Sequence, residues 1–284
     1  MKLSCLPVSF FADIIDGRMS VGEWARMAAE IGFDAVDLSL LFFPKRTLAQ
    51  AADLRRQVEG AGMRVAMLTT YPDFTHPDPT QRQRELALER QAVDLAAELG
   101  AQMVRVTAGQ AHPETCRKDG VDWAVEGLTC LVEAARRTGV RLVYENHAKP
   151  GAWTYTDFSQ PPEIFLEIAR RTAACGLGIN FDTGNAAAFA TDPVELLDQV
   201  IDRVVSVHAA DTAAVGVQKA VLLGTGVTPF AAIFERLHSA GWDNWICLEE
   251  ASSLGRQGVE AAARFIRATW AQTRPRPVPE SSQG

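Results

Sequence analysis

The sequence predicts an α/β fold, a single (β/α)8 TIM barrel, on three observations. Short apolar runs rich in Val, Ile, Leu and Met alternate with longer amphipathic segments eight times. Glycine recurs where the helices should end, at Gly32, Gly62, Gly100, Gly139 and Gly241, the position at which a left-handed cap is expected. The apolar runs are unbroken rather than alternating, which suits parallel strands buried on both faces. A doubly wound open sheet is the competing arrangement of the same units.

The elements follow in order. Residues 3–10 read as the first strand, and 21–31 as its helix, closed by Gly32. The second pair is 35–40 and 48–61, closed by Gly62; the third is 64–69 and 84–99, closed by Gly100. Residues 103–107 and 123–138, closed by Gly139, form the fourth, and 141–145 with 162–172 the fifth. Strands at 177–182, 204–208 and 246–249 carry helices at 193–200, 229–240 and 259–270. Residues 1–273 then make one barrel domain. The segment 274–284, RPRPVPESSQG, is rich in proline with no apolar period and is expected to be a disordered tail.

Composition narrows the class. The chain has 284 residues, 47% hydrophobic and 22% charged, which is ordinary globular usage. A single α/β barrel of about 250 residues accommodates that length. Five scattered cysteines with no CxxC argue against a disulfide framework or a zinc ribbon, so a reduced, cytoplasmic chain is expected. No signal-peptide pattern and no apolar stretch of membrane-spanning length is seen. The formal net charge of −7 argues against nucleic acid as a partner. There is no P-loop, no GxSxG and no dinucleotide-binding glycine pattern.

Catalytic groups of such barrels sit at the C-terminal ends of the strands. Strand five ends VYENH, giving Glu145; strand six ends NFDTGN, giving Asp182; strand seven ends SVHAAD, giving His208; strand eight ends ICLEE, giving Glu249. Neighbouring parallel strands lie about 4.8 Å apart, so the four side chains can converge on one ion. Each alone has an ordinary explanation: a surface carboxylate, an Asx turn, a hydrogen-bonded core histidine. Four in succession outweigh it. An oxygen-rich set with one imidazole suits one divalent metal ion, Mn²⁺ first, with Mg²⁺ or Co²⁺ as alternatives. Glu250 follows Glu249 and should face the other way.

These segments resemble the sugar phosphate isomerase/epimerase group of the xylose isomerase-like barrels. The likeness runs over YENH at 144–147, NFDTGN at 180–185, VHAADT at 207–212, LGTGVTPF at 223–230 and GWDNWICLEE at 241–250. It implies that Glu145, Asp182, His208 and Glu249 bind one divalent metal. It also implies a small-molecule carbohydrate substrate and, as often in relatives, a homo-oligomer. Two departures stand out. The strand-seven His is followed by Ala209-Ala210-Asp211, with no cation until Lys219, and Asn185 replaces a histidine that ketose 3-epimerases often carry.

The implied chemistry is proton transfer beside a carbonyl, with Glu145 and Glu249 as the catalytic pair. Returning the proton to the opposite face gives an epimerase, to the adjacent carbon an isomerase; loss of a β-hydroxyl gives a lyase acting on a keto-sugar, inosose or 3-keto-glycoside. His147, Lys149, Asn185, Arg105 and Trp153 are the expected substrate-binding residues, although Arg105, inward-facing in strand four, needs a charged partner and has a structural reading too. Phe11, Phe42, Phe43, Tyr71, Trp153 and Phe189 fall near the mouth as a candidate apolar wall, and His112 reads as a solvated loop residue. An apurinic endonuclease on the same barrel is a further reading, disfavoured by only five histidines, and a non-catalytic binding barrel is a third.

Overall fold

A computed structural model of the chain describes residues 1–190 and 192–274. All but the first residue of the expected disordered tail, 274–284, therefore lies outside the described residues. Eight parallel strands form the barrel: β1 (Lys2–Leu6), β2 (Val36–Ser39), β3 (Val65–Thr69), β4 (Met103–Val106), β5 (Arg141–Glu145), β6 (Gly178–Asp182), β7 (Val204–Ala209) and, after a small hairpin of β8 (Thr212–Ala214) and β9 (Val217–Ala220), β10 (Trp245–Glu249). The sheet runs β1-β10-β7-β6-β5-β4-β3-β2, with every paired neighbour parallel. The remaining seam, between β1 and β2, is closed by other means. The Asp34 N–H donates to the Leu3 carbonyl at 2.8 Å, the Asp34 carboxylate accepts the Leu3 N–H at 2.8 Å, and Ser4 Oγ donates to Asp37 at 2.6 Å.

Helices α2 (Val21–Ile31), α3 (Leu48–Gly60), α4 (Pro79–Leu99), α5 (Arg117–Thr138), α6 (Pro162–Arg171), α8 (Pro193–Asp198), α9 (Phe230–Ser239) and α10 (Gly255–Gln272) cover the barrel, with short α1 (Phe11–Ile15) and α7 (Thr183–Phe189) at its mouth. Their starts obey local chemistry. Ser20 and Glu23 form a reciprocal capping box on α2, and Asp78 accepts the Thr80 N–H with Pro79 in the first turn of α4. Gly32, Gly100 and Gly139 end their helices in the left-handed region, at φ 87°, 75° and 78°.

The main core lies between sheet and helices. A second buried cluster, including Met67, Met103, Val143, Val205, Trp245 and Cys247, fills the barrel interior, with Lys2 and Arg64 over the Trp245 ring. The mouth of the barrel therefore sits on a packed floor. No helix among the described residues is long and apolar enough to cross a membrane.

Several expected boundaries shift. The first strand stops at Leu6, because Pro7 interrupts it and residues 8–15 coil into a 3-10 turn and α1. Helices α4 and α5 begin five and six residues earlier than the expected 84 and 123, at Asp-Pro and Cys caps that apolar periodicity does not register. Helix α7 and the β8–β9 hairpin were not expected at all. Phe42 and Phe43 are buried in the core rather than forming an apolar wall of the mouth.

Candidate metal centre

Strands β5, β6, β7 and β10 are consecutive in the sheet, and their registers align Asp182 with His208 and His208 with Cys247. The ends of these four strands thus face one point. Glu145, Asp182 and His208 are fully buried and each offers a donor atom within 4.8 Å of the other two. Glu249 completes the group: His208 Nδ1 lies 3.0 Å from Glu249 Oε1 and 3.4 Å from Glu145 Oε2. The Glu249 side chain is 22% exposed and is the one open to solvent. Glu250 turns away, accepting Ser9 Oγ at 2.5 Å and the Ser252 N–H at 2.8 Å, and ties the loop after β10 to the turn after β1.

The donor set fits a divalent ion. Glu145 Oε1, Asp182 Oδ2 and His208 Nδ1 are buried atoms without a hydrogen-bond partner, and all three belong to this centre. Orphaned buried acceptors are costly unless something satisfies them, and a cation shared between them does so.

Each of these side chains is held by groups one layer down or one strand across. Glu145 Oε2 pairs with Arg105 Nε at 2.7 Å and accepts Asn180 Nδ2 at 3.1 Å, while Asn180 Oδ1 accepts Ser206 Oγ at 2.6 Å. Asn146 clamps the end of β6 with both amide atoms, donating to the Asp182 carbonyl and accepting the Asp182 N–H, each at 2.8 Å. Asp182 Oδ1 caps α7 by accepting the Asn185 N–H at 2.6 Å, which leaves Oδ2 facing the centre. His208 Nε2 meets Met67 Sδ at 3.3 Å.

Charge follows from these contacts. Burial alone would raise the Glu145 carboxyl, but Arg105 and then His208 outweigh it and hold it well below the usual carboxylate range. Burial likewise raises Asp182, and the neighbouring Glu145 and Glu249 charges push it further. Burial works against an imidazolium at His208, yet Glu249 and Glu145 raise it well above its ordinary value. Without an ion, then, the same crowding favours the protonated forms of both Asp182 and His208.

Above the centre opens a cavity of about 490 Å³. Arg105, His147, Lys149 and Asn185 line it, whereas Trp153 is not among its lining residues and instead sets its ring edge-on to His147, centroids 6.3 Å apart. Arg105 finds the charged partner it needs in Glu145, and its guanidinium lies 4.6 Å over the Tyr71 ring, so this cation braces the Glu145 carboxylate. Burial pushes the His147 imidazole down to about 4, leaving it neutral at neutral pH. Leu6, Val8, Phe11, Leu41 and Tyr71 form an apolar wall, of which only Phe11 and Tyr71 were expected there. His112 is not solvated: its Nε2 lies 2.8 Å from Asp73 Oδ2, and its side chain is 11% exposed.

Asn146, Asn180, Ser206 and Asp211 were assigned no role from sequence. Two of them were open to reading, since Asn180 and Ser206 stand two residues before Asp182 and His208 and share their face of the strand. Asp211 explains the LGTG segment. Its carboxylate accepts the N–H groups of Thr212, Gly224, Gly226 and Thr228, wrapping the loop after the hairpin around one side chain.

The comparisons agree with this architecture. A Streptomyces coelicolor protein provisionally named hydroxypyruvate isomerase is 28% identical over 241 residues, spanning 78% of this chain and 82% of its own. The inosose dehydratase of Geobacillus kaustophilus is 23% identical over 280 residues, spanning 87% and 86%. The solved IOLI protein, whose structure holds a zinc atom, superposes with a TM-score of 0.77 at 15% identity over 97% of this chain and all of that one. The family model described as a xylose isomerase-like TIM barrel matches residues 25–269. With its eight parallel strands in place, the chain belongs to the xylose isomerase-like TIM barrel family.

Proposed function

We infer that this protein is a divalent-metal-dependent isomerase or epimerase of a keto-sugar or related polyol. One observation carries the reading: two carboxylates, Glu145 and Glu249, flank the same histidine nitrogen, and Glu249 opens onto the cavity. Glu145, Asp182, His208 and Glu249 would hold the ion, Mn²⁺, Mg²⁺ or Co²⁺, by the preference of an oxygen-rich set. When bound, such an ion supplies Lewis acidity to a ketone oxygen and stabilises negative charge as it develops there.

The chain's own residues do the rest. One glutamate removes the proton beside the carbonyl and the other returns it, either to the opposite face or to the adjacent carbon. Arg105 and Asn180 fix Glu145 so that only Oε1 is free to act, while Glu249 is the more accessible base. His147, neutral and packed between Tyr71 and Trp153, and Asn185 donate to substrate hydroxyls, with Lys149 at the rim. Trp153 acts by orienting His147.

Dehydration is the second reading, favoured by the inosose dehydratase relative that spans most of the chain. The test is proton exchange in D₂O followed by NMR with Mg²⁺, across ketoses, inososes and 3-keto-glycosides. Deuterium incorporation beside the carbonyl, lost in Glu145→Gln and Glu249→Gln, is the expected result, and loss of water in the same spectra selects the lyase. Absence of exchange with every carbonyl sugar would sink both.

A further inference from the structure

Asp157 has no part in the chemistry described so far, yet it meets His147 on the side away from the cavity. It lies on the loop between β5 and α6 and is 1% exposed. Three backbone hydrogen bonds pin that loop. The Asp157 N–H donates to the Ala148 carbonyl at 2.6 Å, the Phe158 N–H to that of Gly109 at 2.7 Å, and the Ala111 N–H to that of Thr156 at 2.8 Å. Both Ser159 donors, its N–H and its hydroxyl, go to Asp157 Oδ1 at 2.7 Å. Oδ2 is left buried with no hydrogen-bond partner, and so is His147 Nδ1. These two atoms stand 3.8 Å apart.

That gap is about 0.9 Å longer than a hydrogen bond, within reach of a small rotation of either side chain. It is too short for a bridging water, whose two contacts of about 2.8 Å span roughly 4.5 Å. Two buried polar atoms with no other partner are costly apart. Tyr144 Oη, a further buried atom without a partner, belongs to the outward face of β5, its ring 5.2 Å from Phe165, and makes no hydrogen bond to the carboxyl. The other ring nitrogen of His147, Nε2, is not among the buried atoms without a partner, and His147 lines the cavity, so Nε2 is the edge a ligand meets. A neutral imidazole carries one N–H and one lone pair, and the partner of Nδ1 decides which of them the cavity receives. Among the described residues no lysine or arginine comes within ion-pair distance of Asp157, and burial pushes its carboxyl up to about 8, so the pocket favours the acid form.

We propose that Asp157 is a positioning residue for His147: its carboxyl, in the acid form, donates from Oδ2 to Nδ1 and so keeps the single ring proton on Nε2, facing the cavity. His147 then meets a substrate oxygen as a donor of fixed direction. The pairing itself stands on the geometry of the two side chains; its consequence for turnover rests on the keto-sugar reading.

NMR of the imidazole nitrogens and of the aspartate carboxyl carbons, on the full chain with Mg²⁺ at neutral pH, tests the pairing. The His147 signals are identified by their loss in His147→Gln. The wild type is expected to show His147 as one neutral tautomer with its proton on Nε2, and Asp157 in the acid form. Asp157→Asn should keep that tautomer. The Ser159 N–H and hydroxyl require an acceptor at the Oδ1 position, so the amide carbonyl takes that place and the NH₂ falls opposite Nδ1. Asp157→Ala removes the partner and should leave a mixture of the two tautomers. Once exchange identifies a substrate, Asp157→Ala should raise its KM about tenfold, the loss of one hydrogen bond, while Asp157→Asn stays close to the wild type. A wild-type ring proton on Nδ1, an ionised Asp157, or an Asp157→Ala ring in the same single tautomer as the wild type overturns the assignment. Where Asp157→Ala does not fold, movement of the proton to Nδ1 in Asp157→Asn does so. These spectra need no sugar, so they decide the role of Asp157 separately from the keto-sugar reading, which falls if no carbonyl sugar exchanges.

Discussion

His208 shows how much of the chemistry rests on single atoms. Its Nδ1 stands between Glu145 and Glu249, whose charges raise its pKa, and the same crowding raises that of Asp182. Ion uptake should therefore release protons, read by calorimetry in buffers of different ionisation enthalpy. Uptake without proton release would show that neither group holds a proton at that pH. Arg105 is the opposite case, a cation buried to satisfy one carboxylate. Arg105→Leu strands Glu145 in the interior and should cost about 3–5 kcal/mol in urea unfolding; a loss within 1 kcal/mol, roughly that of an exposed pair, would show that the pair is not buried in solution. The four strand-end positions that meet here were legible because each is a polar residue at the end of an apolar run. Arg105 was legible only as a need for a partner, since the partner lies on another strand and alternation within one strand cannot name it. Met67 against His208 Nε2 left no trace in the sequence, because an apolar residue in an apolar strand carries no signal of what it touches.

At the scale of elements, strands and long helices followed from periodicity, and the missed pieces are those that periodicity does not govern. Helix α7 spans seven residues and exists because Asp182 caps it, so a candidate ligand doubles as a helix start. The hairpin of β8 and β9 is short and exposed, with no buried face to impose alternation. What holds the loop behind it is Asp211, and both Gly224 and Gly226 are close-approach positions: a Cβ at Gly226 would run into the Thr212 carbonyl and the Asp211 carboxylate. Asp211→Asn replaces one accepting oxygen with a donor facing N–H groups. It should lower stability by about 2 kcal/mol and open residues 212–228 to limited proteolysis. Because Thr212 and Lys219 line the cavity from this unit, the same substitution should weaken ligand binding more than ion uptake. Equal protease resistance of the variant and the wild type would mean that the loop holds its shape without the carboxylate.

For the whole molecule, the barrel concentrates acidic groups in its interior and around its mouth, and pH should report that. Burial raises Asp37 to about 6, Glu89 to about 7 and Asp157 to about 8. A carboxyl whose folded pKa lies above its unfolded value binds more protons in the folded state. Its stabilising contribution is complete below the unfolded pKa and is lost as pH rises through the folded one. Between pH 5 and 8 these acids act in one direction, and the raised His208 and Asp182 act with them until an ion takes over their sites. The depressed Glu145 and Glu249 gain their stability as pH rises through the ordinary carboxylate range, so they add little slope above pH 5. The ion-free protein is thus expected to lose urea resistance steadily from pH 5 to 8, with a shallower slope when Mg²⁺ is present. Glu89 separates burial from the metal centre, since it lies on α4 with Oε2 unpartnered and belongs to no ligand pair. Its shift from 4.5 to about 7 corresponds to about 3 kcal/mol. Glu89→Gln should stabilise the protein by that order at pH 8, change little near pH 4.5, and remove its share of the slope whether or not the ion is bound. If the variant and the wild type kept parallel stability curves over this range, the Glu89 carboxyl would be ionising freely and the α4 side of the barrel would be open to water.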